Sequence, residues 1–305
     1  MTDREQFRAV YEAAGVYDRR LLPHYYDGVE DVDLVTELLH RHYGQPAADL
    51  AVVEFGCGTG RITTRLAPYA RRLIAADYSP TMIEAVKARF PQAETLCADT
   101  RDAVARLLDD GHRGGFDVVG AFWSLSYPLG EFFETMTADG VQPVDDVTRA
   151  REQAAAFVRD LVSLVAPGGH LLALFFDAET PEQRLVTRLW ERIAPFPEEG
   201  RSYTLNLLLN GLRRAEAAGY GTLTHTRHGG AAWAPDRDAA LAWFTVVHLK
   251  SFPALINDPD VQREVASFVE RYERPAGDVA LPSGVHVIDF HAAAHPACHL
   301  QDQIR

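Results

Sequence analysis

The segment Val52-Val53-Glu54-Phe55-Gly56-Cys57-Gly58-Thr59-Gly60 decides the fold. An apolar run ends in an acid, and glycines follow at alternate positions. The pattern reads as a buried strand turning sharply into a helix, with bare backbone where a ligand comes close. From residue 50 onward apolar runs and helical periods alternate. Candidate strands are 50–55, 71–76, 94–98, 116–122 and 170–176, and candidate helices are 61–68, 80–90, 101–109 and 147–165. Short apolar strands separated by helices predict an α/β fold whose parallel sheet is covered on both faces. Right-handed crossovers then bring every strand's carboxyl end to one edge, where ligands bind.

Upstream, 4–14 and 31–43 read as amphipathic helices, with Val32, Val35, Leu38 and Leu39 on the helical period. Between them lies Tyr17-Asp18-Arg19-Arg20-Leu21-Leu22-Pro23-His24-Tyr25-Tyr26-Asp27, rich in aromatics. The polar stretch from Asp139 to Thr148 is long for a connection and suggests a lid or specificity loop. Pro167-Gly168-Gly169 marks a turn before the strand that ends at Phe176. Helices are expected at 181–194, 203–218, 238–250 and 260–273. Strands near 221–227 and 285–291 are expected to pair antiparallel and close the sheet.

The chain has 305 residues, 47% hydrophobic and 24% charged, which allows a large core. A formal charge of −13 repels phosphate backbones and argues against nucleic acid as a partner. Cys57, Cys97 and Cys298 are scattered, which fits a reducing cytoplasm. Met1-Thr2-Asp3-Arg4-Glu5-Gln6 is polar, unlike a signal peptide, and no apolar run is long enough for a membrane span. Neither nucleic acid nor a membrane is expected as a partner; a homodimer is left open.

A dinucleotide would require G-x-G-x-x-G, yet Arg61 stands where the third glycine belongs. Four further features accompany the turn. Asp77 ends the second strand in Ala75-Ala76-Asp77-Tyr78-Ser79-Pro80-Thr81-Met82. Cys97-Ala98-Asp99-Thr100 ends the third. Phe116-Asp117-Val118-Val119-Gly120-Ala121-Phe122-Trp123-Ser124 leads the fourth to the same edge, and Leu164-Val165-Ala166-Pro167-Gly168-Gly169 precedes the fifth. Taken singly, Asp77 and Asp99 also suit helix capping.

Together these motifs resemble the class I S-adenosylmethionine-dependent methyltransferases, over residues 50–177. The resemblance implies a Rossmann-like, doubly wound, mostly parallel seven-stranded sheet with an antiparallel last strand. It also implies a helical N-terminal lid over 1–45 and a domain over 46–305 with helical insertions near 178–218 and 236–275. The implied cofactor is S-adenosyl-L-methionine. Gly56, Cys57, Gly58 and Gly60 would let backbone approach its methionyl part, with Glu54 organising the loop. Asp77 would hold the ribose, Tyr78 or Met82 would pack on the adenine, and Asp99 with Thr100 would read the adenine amine. Phe122 and Trp123 would line the floor. The aromatic segment around Tyr17, His24, Tyr25 and Tyr26 resembles the lid of small-molecule methyltransferases of specialised metabolism, and Ala121 to Tyr127 resembles their fourth strand end.

The expected reaction is methyl transfer to a nitrogen or oxygen of a natural-product acceptor. The same fold and cofactor also serve non-methylating cyclisation or rearrangement, and a dinucleotide-dependent oxidoreductase is a more distant alternative. A hydroxyl acceptor usually needs a base. His24, His225, His228, His248 and Asp177 are candidates, and His24 with Tyr127 is the preferred catalytic pair. Trp233, Trp243 and Phe244 read either as pocket wall or as ordinary core. His286, His291, His295, Cys298 and His299 invite a metal reading, but Pro296 interrupts the helical spacing. Trp123-Ser124 stands where catechol-type relatives carry acids, which argues against catalytic magnesium. No metal is expected.

Overall fold

The computed structural model describes residues 21–137, 140–196, 200–250 and 252–294. The expected helix at 4–14, Tyr17, His295, Cys298 and His299 lie outside them. The described chain begins with two short strands, β1 (His24–Tyr26) and β2 (Val29–Glu30), and helix α1 (Asp31–Tyr43). An alternating run follows: β3 (Leu50–Phe55), α2 (Thr63–Leu66), β4 (Ala70–Asp77), α3 (Pro80–Arg89), β5 (Glu94–Cys97), α4 (Thr100–Asp109) and β6 (Phe116–Phe122). Then come α5 (Ser126–Gly130), the hairpin of β7 (Glu134–Thr137) and β8 (Gly140–Pro143), α6 (Val147–Leu164) and β9 (Val165–Phe176). The remaining elements are α7 (Pro181–Trp190), α8 (Tyr203–Ala217), β10 (Gly221–Ala234), α9 (Arg237–Trp243), α10 (Pro253–Ile256), α11 (Pro259–Arg271) and β11 (Val279–Ala292).

The main sheet runs β2-β1-β10-β11-β9-β6-β3-β4-β5. Neighbours from β9 to β5 pair in parallel. β11 is antiparallel to both β9 and β10. The antiparallel last strand is thus as expected, but the sheet has nine strands where seven were expected. The extra two come from the segment expected to be a helical lid. β1 pairs antiparallel with β10, matching Tyr26 to Gly230. A Cβ at Gly230 would lie 1.9 Å from the carbonyl oxygen of Tyr25, so glycine is what lets β1 approach. The polar stretch after Asp139 is likewise structured, with β8 paired to β7.

Every residue of β3 is buried, as a central parallel strand requires. Its side chains alternate between layers. Val53 and Phe55 join Val119, Leu171, Phe157 and Leu208 under α4, α6 and α8. Val52 joins Val118, Leu172, Val35 and Leu39 under α1. Each fully buried side chain of this kind contributes roughly 1.5–3 kcal/mol. A third cluster joins α7, α9 and α11 to the outer ends of β10 and β11 through Leu185, Trp243, Val265 and Leu281. α7, α9 and α11 therefore form a cap over one end of the sheet, while α8 packs against α6. No helix among the described residues is long and apolar enough to cross a membrane.

Candidate active site

A cavity of about 320 Å³ opens at the carboxyl ends of the parallel strands, beneath the helical cap. Its first wall is the glycine turn. Gly56, Gly58 and Gly60 have φ of +69°, +53° and +88°, where side chains are disfavoured. The turn is pinned to β4, because the amides of Gly56 and Cys57 donate to the carbonyl of Ala76 at 2.8 and 3.1 Å. A Cβ at Gly58 would meet nothing within 4 Å, so that backbone is open to a ligand.

Glu54, Gly56, Cys57, Gly58, Asp77, Tyr78, Met82, Asp99, Thr100, Phe122 and Trp123 all line the cavity, as does the pair His24 and Tyr127. Gly60 and Tyr25 do not line it. Gly60 turns away: a Cβ there would lie 2.9 Å from the ring of Phe90, so its role is close packing of α3. Tyr25 points outward from β1 and is 37% exposed, because strand alternation sends His24 and Tyr26 to the other face.

The acids differ in their surroundings. Glu54 is buried and accepts a hydrogen bond from the Thr63 hydroxyl at 2.5 Å. Burial pushes its pKa up to about 8, with the nearby Asp77 charge adding to the effect. Asp77 accepts from the amides of Gly58 and Ser79, each at 2.9 Å. The cap of α3 is instead Ser79, which accepts from Met82 at 3.4 Å. Asp99 does cap α4, accepting from the Arg101 amide at 3.0 Å, and it lines the cavity as well.

The floor is strained. Trp123 has φ of +62°, an unusual backbone for a bulky residue. Its indole N–H donates to Oδ2 of Asp31 at 2.9 Å. Arg61 donates two bonds to the same carboxylate, at 2.7 and 2.5 Å. So the residue replacing a dinucleotide glycine is committed to Asp31. The antiparallel β11 also breaks the all-parallel order of dinucleotide folds.

The helical cap supplies the opposite wall. Glu182 is buried, and its Oε1 accepts from Trp243 Nε1 at 2.5 Å and His248 Nε2 at 2.7 Å. Its Oε2 has no hydrogen-bond partner among the described residues. Burial alone would raise this pKa; the bond and charge of His248 outweigh it and hold the carboxyl below its usual value. Burial lowers His248. Trp243 and His248 line the cavity, whereas Phe244 is fully buried core. Phe176, Gln183, Trp190, Arg201 and Lys250 also reach it, though no motif in the sequence marks them.

The other candidate bases sit elsewhere. Asp177 accepts from Arg227 Nε at 2.6 Å and from the Glu179 amide at 2.9 Å. Burial opposes ionisation there, but these bonds and His286 draw its pKa to about 2, far too acidic for a base at neutral pH. His225 bonds His286 at 2.9 Å, and His228 bonds Asp27 at 2.8 Å. Of the terminal cluster read from sequence, His286 and His291 lie among the described residues, and His286 is engaged by His225. His42 and His170 share Asp289 at 2.7 Å each, at the other end of the sheet. His291 stacks on His170 with centroids 4.5 Å apart.

The site fits a cofactor with a cationic head and a hydroxylated sugar. A buried carboxyl with raised pKa awaits a positive charge. Asp77 borders the cavity beside Gly58, which leaves room.

A family model described as a methyltransferase domain matches residues 53–171. Phosphoethanolamine N-methyltransferase 3 of Arabidopsis thaliana is 25% identical over 169 residues, covering 53% of this chain and 31% of that protein. The chain thus spans less than a third of the length of this curated relative. A protein assigned as a type II methyltransferase from Anaeromyxobacter dehalogenans superposes with a TM-score of 0.50 at 18% identity, covering 90% of this chain and 99% of that one. The cyclase SpnF superposes with a TM-score of 0.50 at 14% identity, covering 97% and 98%. These likenesses show a shared fold. The glycine turn, both acidic strand ends and the floor all fall inside the matched segment, and residues 53–171 are similar to a methyltransferase domain.

Proposed function

We propose that this chain transfers the methyl group of S-adenosylmethionine to a nitrogen or oxygen of a small-molecule acceptor. One observation carries the reading: Glu54, Asp77 and Asp99 line the same cavity as His24 and Tyr127. The acids and the glycine turn would hold the cofactor, with Glu54 toward its ammonium group, Asp77 on the ribose and Asp99 beside the adenine. Tyr78, Met82 and Phe122 would pack on its apolar surfaces. When bound, the cofactor supplies an activated methyl group on a sulfonium.

The protein's own task is alignment, exclusion of water and removal of one proton. Holding two reactants at near-attack distance is worth roughly 7–11 kcal/mol in well-oriented systems. His24 Nδ1 lies 2.8 Å from the carbonyl oxygen of Leu22. A carbonyl only accepts, so Nδ1 carries the hydrogen and Nε2 of the neutral ring is the basic atom. That nitrogen would take the acceptor's proton, with Tyr127 positioning the acceptor. The ring is held by Trp243, Tyr26 and Trp123, with centroids 5.2, 6.2 and 6.3 Å away. The formal charge of −13 supports a small molecule over nucleic acid as partner. The free thiols of Cys57 and Cys97 support a reducing, cytoplasmic setting.

The test is calorimetric titration with S-adenosylmethionine, followed by a screen of natural-product amines and phenols for release of S-adenosylhomocysteine. Failure of the cofactor and its demethylated product to bind would remove the reading. Binding without consumption, alongside turnover of a substrate, would favour a cyclisation or rearrangement.

A further inference from the structure

One wall of the cavity is built around a cation. Arg201 lies in the short turn leading into α8 and lines the cavity with Phe176, Gln183 and Trp190. Its guanidinium packs against the rings of Phe176 and Trp190, 4.6 Å from each centroid. Nη1 donates to Oε1 of Gln183 at 2.6 Å. Among the described residues this is the side chain's one hydrogen bond, and no carboxylate forms an ion pair with it.

Two carboxylates act on Arg201 through space. Glu182 is already engaged by Trp243 and His248. Glu134 is half-buried, and desolvation pushes its pKa up to about 7, which leaves it only partly ionised at neutrality. A cation withdrawn from water is costly unless an anion accompanies it. Ring faces and one neutral amide offset part of that cost. With rings against its plane, the guanidinium offers its edge. Five N–H groups are present and Gln183 uses one, so a two-oxygen acceptor fits the remainder. Lys250 lines the same cavity, and burial lowers its pKa to about 7, so it is only partly charged at neutrality.

Glu54, Asp77 and Asp99 line the glycine-turn side, where a cationic cofactor would bind, and Arg61 there is paired with Asp31. Arg201 stands on the wall made by the helical insertions, where Glu182 is bound by Trp243 and His248.

We infer that the acceptor is an anion: a small molecule whose carboxylate or phosphate sits edge-on against Arg201, with its reacting atom toward His24 and Tyr127. The word acceptor rests on the methyl-transfer reading; the anion site does not.

The test uses the full-length protein, with and without saturating S-adenosylhomocysteine. Phenyl phosphate, benzoate, benzyl alcohol and benzylamine are titrated by calorimetry. At least one of the two anions is expected to bind tenfold or more tightly than the alcohol and the amine. Which anion wins distinguishes phosphate from carboxylate. Arg201→Gln is expected to weaken the preferred anion about tenfold, leaving benzyl alcohol and S-adenosylhomocysteine unchanged, and Arg201→Lys to restore part of the loss. The inference is overturned if neither anion binds, if the alcohol or amine matches both, or if folded Arg201→Gln keeps the anion preference. Should that variant not fold, the ranking on the unmodified protein decides. Anion preference without S-adenosylhomocysteine binding would sink the methyl-transfer reading and leave the anion site standing.

Discussion

The backbone N–H of Gly58 donates to Oδ2 of Asp77 across 2.9 Å, which makes the glycine turn and the acid ending β4 one unit. Removing the carboxylate would thus act twice, on the proposed ribose contact and on turn geometry. Asp77→Ala is expected to weaken S-adenosylhomocysteine binding by about 10- to 100-fold, the worth of a charge-assisted hydrogen bond. Asp77→Asn, which keeps one oxygen acceptor, should lose less. Calorimetry on variants shown to be folded checks both, and unchanged affinity in the alanine variant contradicts the ribose assignment.

Neighbouring glycines should separate stability from binding. A Cβ at Gly56 would lie 2.3 Å from the Cβ of Ser124, while one at Gly58 would meet nothing within 4 Å. Gly56→Ala is therefore expected to cost about 3 kcal/mol of stability through overlap and backbone strain. Gly58→Ala should cost only ~1–2 kcal/mol in stability, from its positive φ, yet largely abolish cofactor binding. Denaturant melts and cofactor titrations on both variants decide; equal behaviour would contradict the open cradle at Gly58.

Cofactor binding should release a proton. Glu54 is held near a pKa of about 8 by burial, so at pH 7 it is mostly protonated in the free protein. A ligand ammonium beside it favours the carboxylate, so affinity should rise with pH toward 8. Titrations in buffers of different ionisation enthalpy should show proton release near pH 7 that is missing in Glu54→Gln. Identical proton counts in the two proteins would argue against an ammonium contact at Glu54.

His24→Ala should reduce turnover by about 100-fold or more for a hydroxyl acceptor, the usual contribution of a positioned base. Affinity for S-adenosylhomocysteine should change little. Tyr127→Phe should raise KM more than it lowers kcat. Full activity in the alanine variant would take His24 out of the reaction.

Asp289 offers a stability prediction away from the cavity. Burial alone would raise its pKa, but the His170 bond and the two imidazoles outweigh it and hold the carboxyl below the ordinary value. A depressed carboxyl stabilises the fold above the unfolded pKa near 4 and loses that contribution as pH falls through the folded value. Asp289→Asn should thus cost about 2 kcal/mol at pH 7 and progressively less below pH 4. Melting curves across that range measure it, and a pH-independent difference would refute the shared-carboxylate account.

The parallel half of the fold was legible because β3, β4, β6 and β9 are apolar runs bounded by turn residues, and each ends in a recognisable acid, glycine or aromatic. The cofactor end followed from the same segment. Two kinds of feature escaped. β1 has three residues and β2 two, too few for an alternation to register, so Tyr25 and Tyr26 could not be told apart by face. The second wall draws Phe176 from the end of β9, Gln183, Trp190 and Arg201 from one insertion and Lys250 from the other. No local period links them; only tertiary packing brings them together. Gly229-Gly230 likewise disguised the far half of β10, since glycine is a poor strand former.

β1 carries His24 and is zipped to β10 by three residue pairs. Fraying of that short seam would carry away the proposed base and breach the chamber in a single event. Deuterium uptake by the amides of 229–233 would then clock how often the vessel opens to its reactant, and a staple between β1 and β10 would trade turnover for retention.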